Sequence, residues 1–150
     1  MFKIEILFYY IIIYDNVTMN NPFGQVLNIG GGEDPHYRYK MPSISTHIES
    51  KNGGTTIIDN IDTIACKLKR EPGELQKYFR KALSCNVKYD KEKGIIISAL
   101  KETGDLQTIL SSYIDKFVLC PNCQNPETVK EIIKKKITLS CSACGKTSNI

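Results

Sequence analysis

Two matched cysteine pairs, Cys120-Pro-Asn-Cys123 and Cys141-Ser-Ala-Cys144, are the residues of this chain best suited to chemistry. A two-residue gap lets both sulfurs of one turn reach a single ion, and zinc prefers four tetrahedral ligands of which thiolates serve well. Gly145 eases the second turn. Between the pairs, Thr128–Ile133 and Ile137–Ser140 read as strands around Lys134-Lys135-Lys136, and such a hairpin brings distant turns together. The pattern predicts one zinc ion on Cys120, Cys123, Cys141 and Cys144. Four sulfur ligands leave no open position, so the expected role is structural, not hydrolytic. The alternatives are a redox dithiol pair or an iron–sulfur centre, and redox motifs do not usually flank a hairpin in two matched copies. Cys66 and Cys85 are expected to be buried thiols.

A second chemical feature is the basic-aromatic run Tyr37-Arg38-Tyr39-Lys40-Met41-Pro42, which follows the Gly- and Asn-rich stretch Asn20–Pro35. That stretch reads as a flexible tail. The run then has two readings. One is a solvated basic turn. The other is a guanidinium on a mobile tether, able to enter another protein's phosphate site with its planar fork. Lys130, Lys134, Lys135 and Lys136 likewise either contact phosphates or keep the ribbon's turn soluble. The two histidines, His36 and His47, form no catalytic constellation with the remaining residues. His47 falls in an expected strand and reads as structural. A Gly-Lys-Ser/Thr phosphate loop is missing from the sequence, so the chain is not expected to bind GTP itself.

The elements that must position these groups follow from periodicity. Ile44–Glu49 and Thr55–Ile58 read as a hairpin turning at Lys51-Asn52-Gly53-Gly54. Asn60 is placed to cap a helix whose apolar residues are Ile61, Ile64, Ala65 and Leu68. After Pro72-Gly73, Leu75, Tyr78, Phe79, Ala82 and Leu83 mark a second helix. Asn86–Tyr89 and Ile95–Ser98 are strands around Asp90–Gly94. From about Asp105, Leu106, Ile109, Leu110, Tyr113, Ile114 and Phe117 trace a third helix. The expected class is α+β: a small, mostly antiparallel sheet with packed helices, followed by a C-terminal zinc ribbon. The expected division is an extended or flexible segment at 1–36, an α/β domain at 37–117 and the ribbon at 118–150.

At 150 residues the chain fits one small domain plus a metal-stapled module. A hydrophobic fraction of 41% with 24% charged residues excludes a disordered tail, and a net charge of +4 permits an RNA or acidic partner without establishing one. A cleavable secretory signal is not evident, so reduced, metal-binding cysteines in the cytoplasm are the expectation. The apolar run Ile6–Tyr14 falls far short of the ~20 residues that span a bilayer. Composition changes at Met19, which reads as the initiator, with residues 1–18 as over-extended translation; the competing reading is an extra strand or a membrane-surface anchor.

From about Pro35 to Cys144 the sequence resembles the N-terminal domain of eukaryotic translation initiation factor 5, in the family shared with the beta subunit of initiation factor 2. The resemblance rests on Tyr37–Pro42, on Lys77-Tyr78-Phe79, and on Lys116–Cys123 followed by Asn125-Pro126-Glu127-Thr128. It implies an activator, not itself an enzyme, that stimulates GTP hydrolysis by the gamma subunit of initiation factor 2 during start-codon selection. The small ribosomal subunit and initiator tRNA are the other implied partners, and a monomer is expected. By motif, Arg38 matches the family's essential arginine supplied in trans, and Lys77 a supporting basic residue. A further family lysine on the first hairpin corresponds to Thr55 here, with Lys51 nearby. Family members usually continue into a helical C-terminal domain, whereas this sequence stops at Ile150; scaffolding by that domain is expected to be absent, as in a minimal form from a compact, viral-type genome. Two alternatives are a structural subunit like initiation factor 2 beta, which leaves Tyr37–Pro42 unexplained, and a nucleic-acid-binding zinc ribbon.

Overall fold

The computed structural model describes residues 25–49 and 54–150. The readings of residues 1–18 and of the turn at Lys51-Asn52-Gly53 lie outside them. The element order is β1 (Val26–Asn28), β2 (Lys40–Pro42), β3 (Thr46–Glu49), β4 (Thr55–Ile58), α1 (Ile61–Leu68), α2 (Pro72–Leu83), β5 (Val87–Asp90), β6 (Gly94–Ile97), α3 (Thr103–Phe117), β7 (Thr128–Ile133), β8 (Lys136–Cys141) and β9 (Thr147–Asn149).

A four-stranded antiparallel sheet in the order β3-β4-β6-β5 forms the centre. Period-two alternation turns Ile95 and Ile97 of β6 inward, and Ile58 pairs with Ile95 across the ladder. Helix periodicity supplies the facing layer: Ile61, Ile64 and Leu68 from α1, Leu75 and Phe79 from α2, and Leu106, Leu110 and Ile114 from α3, all fully or nearly fully buried. Each such side chain contributes ~1.5–3 kcal/mol relative to exposure, so this cluster accounts for the fold's stability. The expected α+β class is what the chain adopts.

Three local differences have physical causes. Asn60 stands at the N-cap position of α1, but its side chain does not cap the helix. Its amide instead accepts from the Ser45 N–H (3.0 Å) and donates to the Ser43 carbonyl (2.7 Å), pinning the β2–β3 connection. Ile44 precedes β3 because its N–H is taken by Gln107 Oε1 of α3 at 2.9 Å. Cys66 is exposed, not buried, and Cys85 is half-buried; Cys66 follows the inward-facing pair Ile64-Ala65 and so turns to the solvent side of α1.

Residues 25–36, read as part of a flexible tail, are structured. β1 pairs with β2 antiparallel, Val26 opposite Pro42 and Asn28 opposite Lys40. Ile29 and Met41 from this hairpin enter the core at 5% and 3% exposure, which anchors the segment.

The C-terminal sheet, in the order β7-β8-β9, is a separate ribbon bolted to the helices. Arg70, just past α1, donates to the Thr128 carbonyl and hydroxyl and to the Phe117 carbonyl. Lys130 of β7 pairs with Glu74 at 3.0 Å and lies 5.2 Å from the centre of the Phe117 ring. Tyr113 donates its hydroxyl to the same Glu74 oxygen at 3.0 Å. Burial, with the Glu74 charge and hydrogen bond, keeps the Tyr113 phenol protonated well above the usual tyrosine range.

Candidate metal centre and arginine loop

The two cysteine turns are copies of one backbone design. Gln124 N–H donates to the Cys120 carbonyl (2.8 Å) as Gly145 N–H does to that of Cys141 (3.0 Å). Cys120 N–H donates to the Asn125 carbonyl, and Cys141 N–H to that of Lys146, each at 3.0 Å. The N–H groups of Asn125 and Lys146 point at the sulfurs of Cys123 and Cys144. Each turn needs one left-handed residue, Gln124 at φ 59° and Gly145 at φ 71°. The expected role of Gly145 is thus observed, and Gln124 does the same work with a side chain.

The β7–β8 hairpin aligns the copies, pairing Thr128 with Cys141. All four sulfurs lie within 4.8 Å of one another. Cys120 and Cys144 are 3.7 Å apart and Cys123 and Cys141 3.6 Å. A tetrahedral ion with sulfur at ~2.3 Å requires sulfur separations near ~3.8 Å, so the thiols fit a metal ion. The Lys146 N–H and the neighbouring thiols lower Cys144 to about 6. At Cys123 the Asn125 N–H acts in the same direction but is outweighed by desolvation and the other three thiols, which raise it to about 12. Crowding thus spreads the four proton losses widely, and a bound cation would favour the thiolates together.

Arg38 lies elsewhere, on the loop that joins β1 to β2. The loop is organised by residues that composition alone marked as flexible. Asn28 donates from its side chain to the carbonyls of Asp34 (2.9 Å) and Gly32 (3.3 Å). Asp34 Oδ1 accepts from the His36 N–H at 2.9 Å, and Lys40 Nζ reaches the Pro35 carbonyl at 2.7 Å. Tyr37 packs its hydroxyl on Gly30, where a Cβ would stand 2.5 Å away. Its ring meets Tyr39 edge-on at 5.9 Å, and the exposed Arg38 guanidinium sits 5.9 Å from the centre of the Tyr39 ring. Among the described residues Arg38 has no ion-pair partner. Its mount is an ordered hairpin loop rather than a tether.

Lys77 is exposed on α2 and is not brought to Arg38. It lines a groove with Tyr113, Lys116 and Phe117 of α3, whereas the arginine hairpin borders Gln107, Ser111, Ile114 and Asp115. Helical spacing puts these two sets on opposite sides of α3. The basic ribbon cluster also divides. Lys130 is engaged by Glu74, while Lys134, Lys135 and Lys136 are exposed at the tip. Sequence reasoning missed Asn28, Gly30, Asp34, Arg70 and Gln124; the Asn-Gly-Asp content of the loop was the available signal.

A helix-backed antiparallel sheet carrying a docked four-cysteine ribbon, with a tyrosine-flanked arginine on an ordered hairpin, is the class of protein that fold and site define. The chain belongs to the family of the domain found in initiation factors 2B and 5, whose model matches residues 31–147. It is 43% identical over 114 residues to eukaryotic translation initiation factor 5 of Caenorhabditis elegans, a match covering 75% of this chain and 26% of that protein. Against eukaryotic translation initiation factor 5 of Mus musculus it is 42% identical over 116 residues, covering 75% and 27%. Against probable eukaryotic translation initiation factor 5-2 of Arabidopsis thaliana it is 40% identical over 129 residues, covering 82% and 29%. The chain therefore spans less than a third of the length of these relatives.

Proposed function

We propose that this chain is an initiation factor 5-like GTPase activator. It supplies Arg38 in trans to the gamma subunit of initiation factor 2, bound with initiator tRNA on the small ribosomal subunit in the cytoplasm. The observation that carries the reading is the mounting of Arg38. Its guanidinium is exposed and unpaired among the described residues, while the loop beneath is held by Asn28, Asp34 and the Gly30–Tyr37 contact. A pre-positioned arginine enters a phosphate site with little ordering to do, and its charge stabilises phosphoryl transfer. Lys77, on another face, supports binding of the GTPase rather than the same phosphates. The four thiols hold one zinc ion, which fastens the ribbon and takes no part in chemistry.

Single-turnover GTP hydrolysis by an initiation factor 2–initiator tRNA–small subunit complex, with and without this protein, tests the reading. Stimulation that vanishes with Arg38→Ala supports it. Stable entry into the complex without stimulation favours the beta-like structural subunit instead.

A further inference from the structure

The face of the molecule where ribbon and helices meet carries a groove of about 620 Å³ that the arginine reading leaves unused. Its floor is apolar: Tyr78 and Phe117 from the helices, with Ile132 and Ile137 from the ribbon. Ile132 is 73% exposed, an unusual placement for an isoleucine at the wall of a depression. The rim is basic. Lys77 and Lys81 come from α2, spaced one turn apart, and Lys116 from the end of α3; all three are exposed. Among the described residues the only acid lining the groove, Glu74, is already matched by Lys130 and Tyr113.

We infer that this groove docks an acidic peptide segment of a partner protein, one that carries large apolar side chains among aspartates and glutamates. Charge complementarity selects the acidic residues, because the exposed lysines have no acid of their own chain left in the groove to satisfy. The apolar floor selects the rest of the ligand, since a purely charged chain would leave Tyr78, Phe117 and Ile132 uncovered. Single-stranded nucleic acid fits less well. Base stacking needs an open ring face. Here Tyr78, Tyr113 and Phe117 pack on one another, centroids 5.2 to 5.9 Å apart. Tyr113 is 2% exposed, and the Phe117 ring has Lys130 beside it. The inference shares Lys77 with the proposed function and otherwise rests on the groove alone.

The test is equilibrium binding to the purified full chain with no GTPase present, so its outcome is independent of activation. The probe is a short fluorescent peptide with Phe and Leu spaced among Asp and Glu. Lys77→Glu combined with Lys81→Glu should weaken binding at least ~10-fold, equivalent to ~1.4 kcal/mol. Ile132→Asp should weaken it comparably. Lys134→Glu combined with Lys135→Glu, the same charge change at the ribbon tip, should leave it within ~2-fold, because exposed charges beyond a Debye length are screened. Circular dichroism verifies that each variant is folded. Equal binding by the groove and tip variants overturns the inference, as does equal binding of a peptide with serine in place of Phe and Leu. Binding of oligouridylate RNA in preference to the peptide, sensitive to the same groove substitutions, assigns the face to nucleic acid and also overturns it. Concentration-dependent dimerisation lost in Ile132→Asp would replace the peptide with a second copy of the chain.

Discussion

The guanidinium of Arg70 grips Thr128 twice, through its carbonyl at 3.0 Å and its hydroxyl at 2.9 Å. A further bond to the Phe117 carbonyl at 2.9 Å joins the end of α1, the end of α3 and the first residue of the ribbon in one fastening. The Thr128 hydroxyl passes the contact on to the Val118 carbonyl at 2.5 Å. Val118 leads within two residues to Cys120, so the first cysteine turn is placed by the helical core rather than by the ribbon alone.

Arg70→Ala removes the donors and leaves the Phe117 and Thr128 carbonyls part-buried and unsatisfied. With ~1–3 kcal/mol for such a lost partner, the expected destabilisation is roughly 2–4 kcal/mol in urea unfolding. Arg70→Lys should recover little, because an ammonium cannot replace the planar fork. A loss below ~0.5 kcal/mol would show that the ribbon is held by Lys130–Glu74 instead, since that is the level of an ordinary surface substitution.

The thiol cluster makes a separate prediction. Purified protein should contain one zinc per chain by elemental analysis. Cys123→Ser or Cys141→Ser should lose it and expose the ribbon's amides to hydrogen exchange, while the helices keep their protection. Structural zinc contributes folding free energy directly, so a chelator should reproduce the variant's pattern in the wild type. Finding disulfides and no metal would count decisively against this.

The matched turns predict opposite effects of exchanging their left-handed residues. Gly145→Gln should destabilise the ribbon by about 1–2 kcal/mol, the cost of that conformation for a residue with a Cβ. Gln124→Gly relieves the same cost but increases the freedom of the unfolded chain, so a net gain of about 0.5–1 kcal/mol is expected. Thermal melts of the zinc-loaded protein measure both. Equal destabilisation by the two changes would mean that the Gln124 side chain itself contributes.

How much of this was legible in the sequence depends on whether a residue's role was local. The ribbon was, because ligand spacing and a period-two spacer are local patterns, and the register pairing Thr128 with Cys141 follows from them. The helical faces were too, since Leu106, Leu110, Tyr113 and Ile114 are buried as their spacing requires. The β1–β2 hairpin was not. Its strands are three residues each, and its loop is built by Asn28 and Asp34 bonding backbone groups several positions away. Such residues read as flexible until their partners are known. Asn60 misled for a related reason. It had the chemistry of a helix cap, but Ser43 and Ser45 used its amide. Arg70 carried no local signal, because its partners are 47 and 58 positions away.

The arginine loop gives the prediction that separates the proposed function from its rivals. Arg38→Ala should abolish most stimulation of GTP hydrolysis, because an arginine supplied in trans accelerates that reaction by ~10³–10⁵-fold. Fold, zinc content and binding to the GTPase should hardly change, since the guanidinium is exposed and contacts its own chain only beside Tyr39. Arg38→Lys should fail almost as badly for want of the bidentate fork. The ordered mount adds a second variant. In Gly30→Ala the new methyl would meet the Tyr37 hydroxyl at 2.5 Å, so Tyr37 must move and carry the backbone of Arg38 with it. Stimulation should drop at least ~10-fold with Arg38 itself intact, because misplacing a reacting group by ~1 Å can cost ~10²-fold. Tyr37→Phe keeps the ring and removes the hydroxyl, and should restore activity to Gly30→Ala in part. Lys77→Ala should lower apparent affinity for the GTPase more than the maximal rate, as removal of uniform binding does. Wild-type stimulation by Arg38→Ala would refute the role of the arginine. Wild-type stimulation by Gly30→Ala, with Arg38→Ala inactive, would show instead that the arginine acts from a loop free to reorganise on binding.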